Sequence, residues 1–194
     1  KKLEVVLKNN SNLSSPIRLS NYMKFKSWEE VEKERENAGK KKSEGLMIKR
    51  KNSKYEVGRI KGNWWKWKCD PKTIDAVLTY AMRGHGRRTN LYTDYTFALW
   101  NNGELVTFAK AYSGLNDKEI KEVDRFVKQN TLNRFGPVRQ VKPLLVFEIA
   151  FEGVSLSSRH KSGVSVRFPR ILRQRHDKKI SEANSVEDLK KLLV

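Results

Sequence analysis

The chain has 194 residues, with 41 Lys or Arg against 22 Asp or Glu, which gives a formal net charge of +19 at pH 7. Such an excess of positive charge predicts a polyanionic partner, and no apolar run approaches the ~18 residues of a membrane span. The chain opens without a signal-peptide pattern and its single cysteine, Cys69, excludes an intrachain disulfide, so we expect a soluble cytoplasmic protein of one or two small domains.

In the first 70 residues, turn residues separate short predicted strands from one predicted helix. Ser27 and Glu30 form a capping-box pattern that begins the helix, and Gly39 marks its end. Strands are predicted at Leu3–Leu7, Leu46–Arg50, Tyr55–Ile60 and Trp64–Lys68, with a loop at Asn9–Pro16. Asp70-Pro71 interrupts this pattern, because helical geometry is disfavoured before proline. We therefore place a domain boundary after Asp70.

Beyond this boundary, the pattern predicts a small barrel. Strands are predicted at Ile74–Arg83, Tyr95–Asn101, Glu104–Ala111, Leu144–Glu152 and Val164–Phe168, with a tight hairpin at Asn101-Asn102-Gly103. Asn116 and Glu119 begin a helix between the third and fourth strands, whose apolar face carries Ile120, Val123, Phe126 and Val127. A last helix begins near Ser185 and buries Leu189, Leu192 and Leu193. Five strands with one helix in this place are typical of an OB-fold, a barrel that binds nucleic acids and oligosaccharides.

Two lysines two residues apart suggest a phosphate site. A strand at Trp64–Lys68 directs Lys66 and Lys68 to one face, and Trp65 and Trp67 to the other. Two neighbouring ammonium groups repel each other unless an anion lies between them, and a phosphate would serve. The alternative is an edge strand whose solvated lysines prevent aggregation.

A second basic stretch, "RFPRILRQRHDKK", runs from Arg167 to Lys179. Guanidinium groups bind phosphate oxygens in pairs, so this density of arginine suits a triphosphate or a nucleic-acid backbone. A non-specific basic tail is the alternative. Since Pro169 ends the strand before it, we expect the stretch to lie on a mobile surface segment.

These two stretches, with a third, resemble signature motifs of ATP-dependent DNA ligases. Glu44-Gly45-Leu46-Met47-Ile48-Lys49 resembles their fourth motif, Lys66-Trp67-Lys68 their fifth, and Arg167-Phe168-Pro169-Arg170 through Asp177-Lys178 their sixth. The motifs occur in the family's order, and the similarity, closest to a bacterial subgroup, covers essentially the whole chain. The resemblance implies a β-rich, mixed α/β chain: the end of a nucleotidyltransferase (adenylation) domain in residues 1–70, followed by an OB-fold barrel in residues 71–194.

The resemblance also implies roles for individual residues. Ligases attach AMP to a lysine, transfer it to the 5′-phosphate of a nick, and let the 3′-hydroxyl displace it. Glu44 would bind a divalent cation, Mg²⁺ or Mn²⁺, and Lys49, Lys66, Lys68 and Arg173 would contact the ATP-derived nucleotide. Arg167, Arg173 and Lys178 would orient the leaving pyrophosphate. Nicked double-stranded DNA would lie against Arg83, Arg87, Arg88, Lys110, Arg159 and Lys161. A monomer associated with the bacterial nucleoid is expected.

One departure from the family concerns the nucleophile. Ligases carry it in a Lys-x-Asp-Gly motif, and these 194 residues contain no such string. We therefore expect the chain to be the C-terminal part of a ligase that works with a missing N-terminal adenylation segment, and to be inactive alone. The alternatives are an OB-fold DNA-binding module without its own catalysis, and a relative of RNA ligases or, more distantly, of mRNA capping enzymes.

Overall fold

The computed structural model of the chain describes residues 5–7, 20, 22–41 and 43–193. Besides helical residues 5–7, the helices of the described residues are α1 (Trp28–Asn37), α2 (Asp117–Gln129) and α3 (Val186–Lys190), with 3₁₀ turns at Gly86–Arg88 and Ile180–Glu182. The strands are β1 (Gly45–Lys49), β2 (Trp64–Lys68), β3 (Lys72–Arg83), β4 (Tyr92–Asn101), β5 (Glu104–Ala111), β6 (Thr131–Phe135), β7 (Val138–Val141), β8 (Val146–Phe151), β9 (Gly153–Leu156), β10 (Val164–Arg167) and β11 (Arg170–Gln174). None of the helices within the described ranges has both the length and the apolar character that crossing a membrane requires.

A two-stranded antiparallel sheet precedes the barrel. Strands β1 and β2 pair so that Gly45 lies opposite Lys68 and Met47 opposite Lys66. Gly45 has φ +135°, and a Cβ there would come within 2.2 Å of the Trp67 carbonyl oxygen, so only glycine allows this close pairing. Helix α1 begins at the Ser27 cap, as predicted, and its Arg35 donates to the Lys68 carbonyl oxygen at 3.1 Å. This contact holds the end of β2, where the second lysine lies.

The larger sheet runs in the order β11-β8-β3-β4-β5, with β7 added beside β3 and β6 beside β7. Its two edges approach each other, since the Ile171 N–H in β11 donates at 2.9 Å to the carbonyl of Ser113, just after β5. A Cβ on the neighbouring Gly114 would come within 1.8 Å of the Ile171 oxygen. The sheet therefore curls into a small barrel that encloses the core, in which Phe97, Phe147 and Phe151 are fully buried.

Helix α2 lies between β5 and β6 and covers part of this core. The predicted capping box is confirmed: the Asn116 side chain accepts from the Glu119 N–H at 3.0 Å, and Glu119 accepts from the Asn116 N–H at 2.8 Å. The helix buries Ile120, Val123 and Val127, as its 3.6-residue period predicts. The last helix follows the prediction in part: Ser185 is its cap and Leu189 is buried, but the helix ends at Lys190, and Leu192 and Leu193 lie beyond it and are only half-buried.

We expect Asn116→Ala to lower the free energy of unfolding by about 1 kcal/mol, because the first turn of α2 loses the acceptor for two backbone N–H groups. Urea denaturation measures this change. Asn90→Ala is a matched control at an exposed position, and should leave the stability within about 0.5 kcal/mol of wild type. Equal effects of the two substitutions would show that the cap contributes nothing to stability.

Several local predictions are wrong. Residues 5–7 are helical rather than extended, whereas the loop predicted at Asn9–Pro16 lies outside the described residues. Residues 55–60 form no strand: Arg50 N–H donates to the Asn63 carbonyl at 2.8 Å, so the intervening residues are the loop of the β1–β2 hairpin. A strand pattern needs a partner strand, and none of the described residues provides one there.

The identity of the fifth barrel strand is also corrected. The predicted strand at Val164–Phe168 is seen as β10, but it pairs with β9, outside the larger sheet. Strand β11, in the stretch expected to be mobile, pairs with β8 instead. Phe168 has φ +52° and turns the chain directly from one strand into the next. Pro169 thus ends β10 as expected, but the arginine-rich stretch continues as ordered sheet.

Candidate nucleotide and DNA site

Glu44 lies at the junction between the small sheet and the barrel, where two cations meet it. The Lys66 ammonium is 3.3 Å from one carboxylate oxygen of Glu44, and the Arg167 guanidinium is 2.7 Å from the other. The hydrogen bond from Lys66, followed by the charges of Lys66 and Arg167, lowers the pKa of Glu44. Its stabilising effect is therefore complete above the ordinary pKa of a glutamate and is lost as the pH falls through the lowered value.

Lys68 meets a carboxylate from the barrel. Its ammonium donates to Glu152 at 2.6 Å, and Arg170 lies 4.0 Å from the same carboxylate oxygen. Lys66 and Lys68 do share one face of β2, as predicted, but protein carboxylates balance their charge in this arrangement. The site is thus an alternating cluster of acids and bases, in which a phosphate could replace a carboxylate without a change in the sign of charge.

The remaining predicted nucleotide-contacting residues are distributed over three other places. Lys49 lies over the Trp64 ring, with its ammonium 4.2 Å from the ring centroid. Arg173 donates to Glu148 at 2.7 Å, and Lys178 donates to Asp75 at 2.6 Å. The structure therefore brings Glu44, Lys66, Lys68 and Arg167 to one junction, whereas Arg173 and Lys178 are paired within the barrel.

Arg175, which the sequence analysis did not single out, links Asp75 and Asp177 within the barrel. Its guanidinium bonds both oxygens of Asp75, at 3.1 and 2.9 Å, and both oxygens of Asp177, at 2.9 and 2.7 Å. The hydrogen bond from Arg175 lowers the pKa of Asp177, while Asp177 raises the pKa of Arg175. The signal available in the sequence was its position two residues before Asp177-Lys178, since an arginine there can reach the aspartate beside it.

Most of the predicted DNA-contacting residues are exposed on the barrel. Lys110 lines a cavity of about 300 Å³ together with His160 and Val166, and Arg159 and Lys161 belong to the loop between β9 and β10. The other three lie around the 3₁₀ turn: Arg83 stacks on the Tyr92 ring, Arg87 is exposed, and Arg88 bonds Asp117 at 2.8 Å. Five of these cations are thus without a carboxylate partner among the described residues, and Arg88 has one.

A divalent cation fits this junction only in part. Among the described residues, no three His, Cys, Asp or Glu side chains come together as a metal site. Glu44 is a single carboxylate that two cations already neutralise. Mg²⁺ is commonly held by one or two carboxylates with substrate phosphates and water, so Glu44 could supply one oxygen ligand but not a site.

Two family models match the chain. The model for the "ATP dependent DNA ligase domain" matches residues 1–68, and that for the "ATP dependent DNA ligase C terminal region" matches residues 88–178. A "Probable DNA ligase" of Koribacter versatilis is 48% identical over 145 residues, which are 75% of this chain and 25% of that protein. A second "Probable DNA ligase", from Opitutus terrae, is 41% identical over 77% of this chain and 15% of its own length. The chain thus spans a quarter or less of these two relatives.

Solved structures show the same fold. The ligase domain of M. tuberculosis LigD is 22% identical with a TM-score of 0.51, over 75% of this chain and 48% of that one. The structure titled "Pmar-Lig_PreS3" is 20% identical with a TM-score of 0.59, over 76% of this chain and 31% of that one. The expected mixed α/β, strand-rich fold, with the end of an adenylation domain and an OB-fold barrel, is confirmed. With the two family models, these similarities show that the chain belongs to the ATP-dependent DNA ligase family.

Proposed function

We propose that this chain supplies phosphate-contacting and DNA-contacting residues to an ATP-dependent DNA ligase that seals nicks in double-stranded DNA. The observation that carries the proposal is the junction itself, where Glu44, Lys66, Lys68 and Arg167 of three family motifs come within ion-pair distance of one another or of Glu152. Every step of ligation is a transfer at phosphorus, and stabilisation of charge dominates such chemistry. Residues 1–70 are the end of the adenylation domain in this proposal, and residues 71–194 the barrel.

The two lysines of β2 would contact the α-phosphate of ATP and of the AMP formed from it. They extend from the same face of one strand, so a single phosphate can accept from both. Lys49, on the adjacent strand, would add a third cation. Glu44 would provide one oxygen ligand to Mg²⁺ or Mn²⁺ held chiefly by the phosphates, and the nucleophilic lysine would come from a segment outside this sequence.

Arg167, Arg173 and Lys178 would orient the pyrophosphate that leaves when the lysine is adenylated. Arg173 and Lys178 are engaged by Glu148 and Asp75 within the barrel, so this role requires them to leave these partners and the barrel to bring them to the nucleotide. We propose that the barrel turns about residues 69–72, which join β2 to β3. In solution scattering, the distance between the two parts should then vary, whereas one rigid arrangement would contradict the turn.

The exposed cations of the barrel would bind the backbone of nicked DNA without sequence preference, and the protein would act as a monomer on the DNA of the nucleoid. If about three of Arg87, Lys110, Arg159 and Lys161 each neutralise one phosphate, log affinity should fall against log salt with a slope of roughly −2.7. Binding should weaken about 40-fold between 50 and 200 mM salt. A fluorescence anisotropy titration of this chain with a nicked duplex measures both quantities.

Lys118→Ala is a matched control for Lys110→Ala, since both lysines are exposed but Lys118 lies on α2. Lys110→Ala should reduce the slope by about 0.9, and Lys118→Ala should leave it unchanged. No binding at low salt, or a slope near zero for wild type, would refute the proposed DNA contact. Equal slopes for wild type and Lys110→Ala would move the contact away from this face of the barrel.

A further inference from the structure

Glu152 occupies a position that neither the motifs nor the family match assigns. It lies between the end of β8 and the start of β9, and its N–H donates to the Arg167 carbonyl at 2.9 Å. Its side chain is 16% exposed and accepts from Lys68 at 2.6 Å across the junction. The second carboxylate oxygen, Oε2, is buried and lacks a hydrogen-bond partner among the described residues. A buried carboxylate with one oxygen unsatisfied is held by its charge pair rather than by a complete hydrogen-bond shell.

Glu152 and Arg167 together form a contact of matched charge with the small sheet. From the barrel, the Glu152 carboxylate pairs with Lys68. Arg167, whose backbone carbonyl accepts from the Glu152 N–H, pairs through its guanidinium with Glu44. On the other side of the junction, Glu44 precedes Gly45, which lies opposite Lys68 in the β1–β2 register. Two ion pairs of opposite polarity, Lys68 with Glu152 and Glu44 with Arg167, thus join the small sheet to the barrel. Their opposite polarity fixes the relative orientation of the two parts, and the contact depends on both pairs.

We propose that Glu152 is a positioning residue: its carboxylate pairs with the Lys68 ammonium where a phosphate would otherwise bind, and this pair holds the barrel against the small sheet. This inference rests on the proposed function, in which Lys68 contacts phosphate. A carboxylate at 2.6 Å and a phosphate cannot both take the same position at one ammonium group, since two anions in contact repel. Phosphate binding at Lys68 and barrel docking through Glu152 are therefore coupled, and each weakens the other by the same factor.

A simple structural role of Glu152 makes a different prediction. If the residue only anchored the barrel, its loss would loosen the junction but would not change the affinity of Lys68 for an anion. If it competes with phosphate, neutralising it should both loosen the junction and strengthen anion binding. Exchanging the two charges, as in Lys68→Glu with Glu152→Lys, should restore the docked arrangement but not the anion affinity. These three outcomes separate competition from anchoring.

The first experiment measures binding of inorganic phosphate to the 194-residue chain by isothermal titration calorimetry. Glu152→Gln should bind about tenfold more tightly than wild type. Glu187→Gln is the matched control, because it also removes one carboxylate from an ion pair but lies on α3, away from the junction. It changes the net charge by the same amount and should leave the affinity unchanged. Glu152→Asp, which keeps the charge on a shorter side chain, should give a smaller gain than Glu152→Gln.

The second experiment measures the distance between the small sheet and the barrel. Spin labels on exposed residues, introduced by Lys51→Cys and Lys118→Cys with Cys69→Ser, report the distance distribution in solution. The distribution should broaden in Glu152→Gln and narrow again in the charge-exchanged variant. Equal phosphate affinity in wild type and Glu152→Gln, or a gain that persists when Lys68→Met is added, would overturn the inference. Either result would refute the role of Glu152 without affecting the salt-dependent DNA binding that the proposed function predicts. Loss of that DNA binding would count against the proposed function and not against the role of Glu152.

Discussion

Asp75→Ala is expected to destabilise the protein by about 3 kcal/mol or more, because it leaves two cations without their buried partner. Asp75 is 6% exposed on β3 and accepts hydrogen bonds from both Arg175 and Lys178. Removing one member of a buried ion pair commonly costs about 3–5 kcal/mol. Arg175 keeps Asp177 as a second partner, and Lys178 is 28% exposed and can turn toward water, so we expect the lower end of this range.

Urea denaturation tests this prediction against Asp117→Ala. Asp117 also pairs with an arginine at 2.8 Å, but its side chain is 82% exposed, so its loss should cost no more than about 1 kcal/mol. The Asp75 N–H donates to the Asn184 side-chain oxygen, and the Asp75 carbonyl accepts from the Asn184 N–H; both bonds should survive the substitution because only the Asp75 side chain changes. If both substitutions had the same small effect, Asp75 would contribute no more than a surface pair.

In a ligase that contains this chain, Arg173→Ala should slow adenylation of the lysine by on the order of 10²-fold and leave sealing of a pre-adenylated nick much less affected. Pyrophosphate leaves only in the first step, so a guanidinium directed at it stabilises that transition state and no later one. Lys68→Ala should slow both reactions, because the α-phosphate is present in every step. The comparison uses ATP-dependent ligation and single-turnover sealing of a nick that already carries AMP.

The structure offers a definite alternative for Arg173. Its Nε donates to Glu148 at 2.7 Å, and its side chain is 63% exposed, which is the geometry of a surface ion pair. If that ion pair were the whole role of Arg173, Arg173→Ala would change the rate of neither reaction by more than a few-fold. Arg125→Ala, which removes an exposed arginine on α2, is the control and should have an equally small effect. Equal slowing of both reactions would instead place Arg173 on the DNA backbone.

Local features of the sequence were enough to predict much of the fold. Strands β2 and β5 begin and end where their patterns predict, and Asn116 and Ser185 cap the helices that they were expected to begin. Caps and turns depend on hydrogen bonds between residues three or four positions apart, so the chain encodes them locally. The three ligase motifs are also local stretches of sequence, and their order along the chain indicates the family without knowledge of tertiary contacts.

The pairing of distant segments required the tertiary structure. Residues 55–60 resemble a strand but have no partner strand in the described part of the chain, whereas β11 is ordered because β8 lies beside it. Lys68 meets Glu152 across 84 positions, and Asp75 meets Lys178 across 103. The sequence alone predicted that Lys66 and Lys68 would need an anion between them, since like charges repel whatever the fold. Which carboxylate supplies it depends on how the barrel closes, and that closure is set by the packing of residues far apart in the chain.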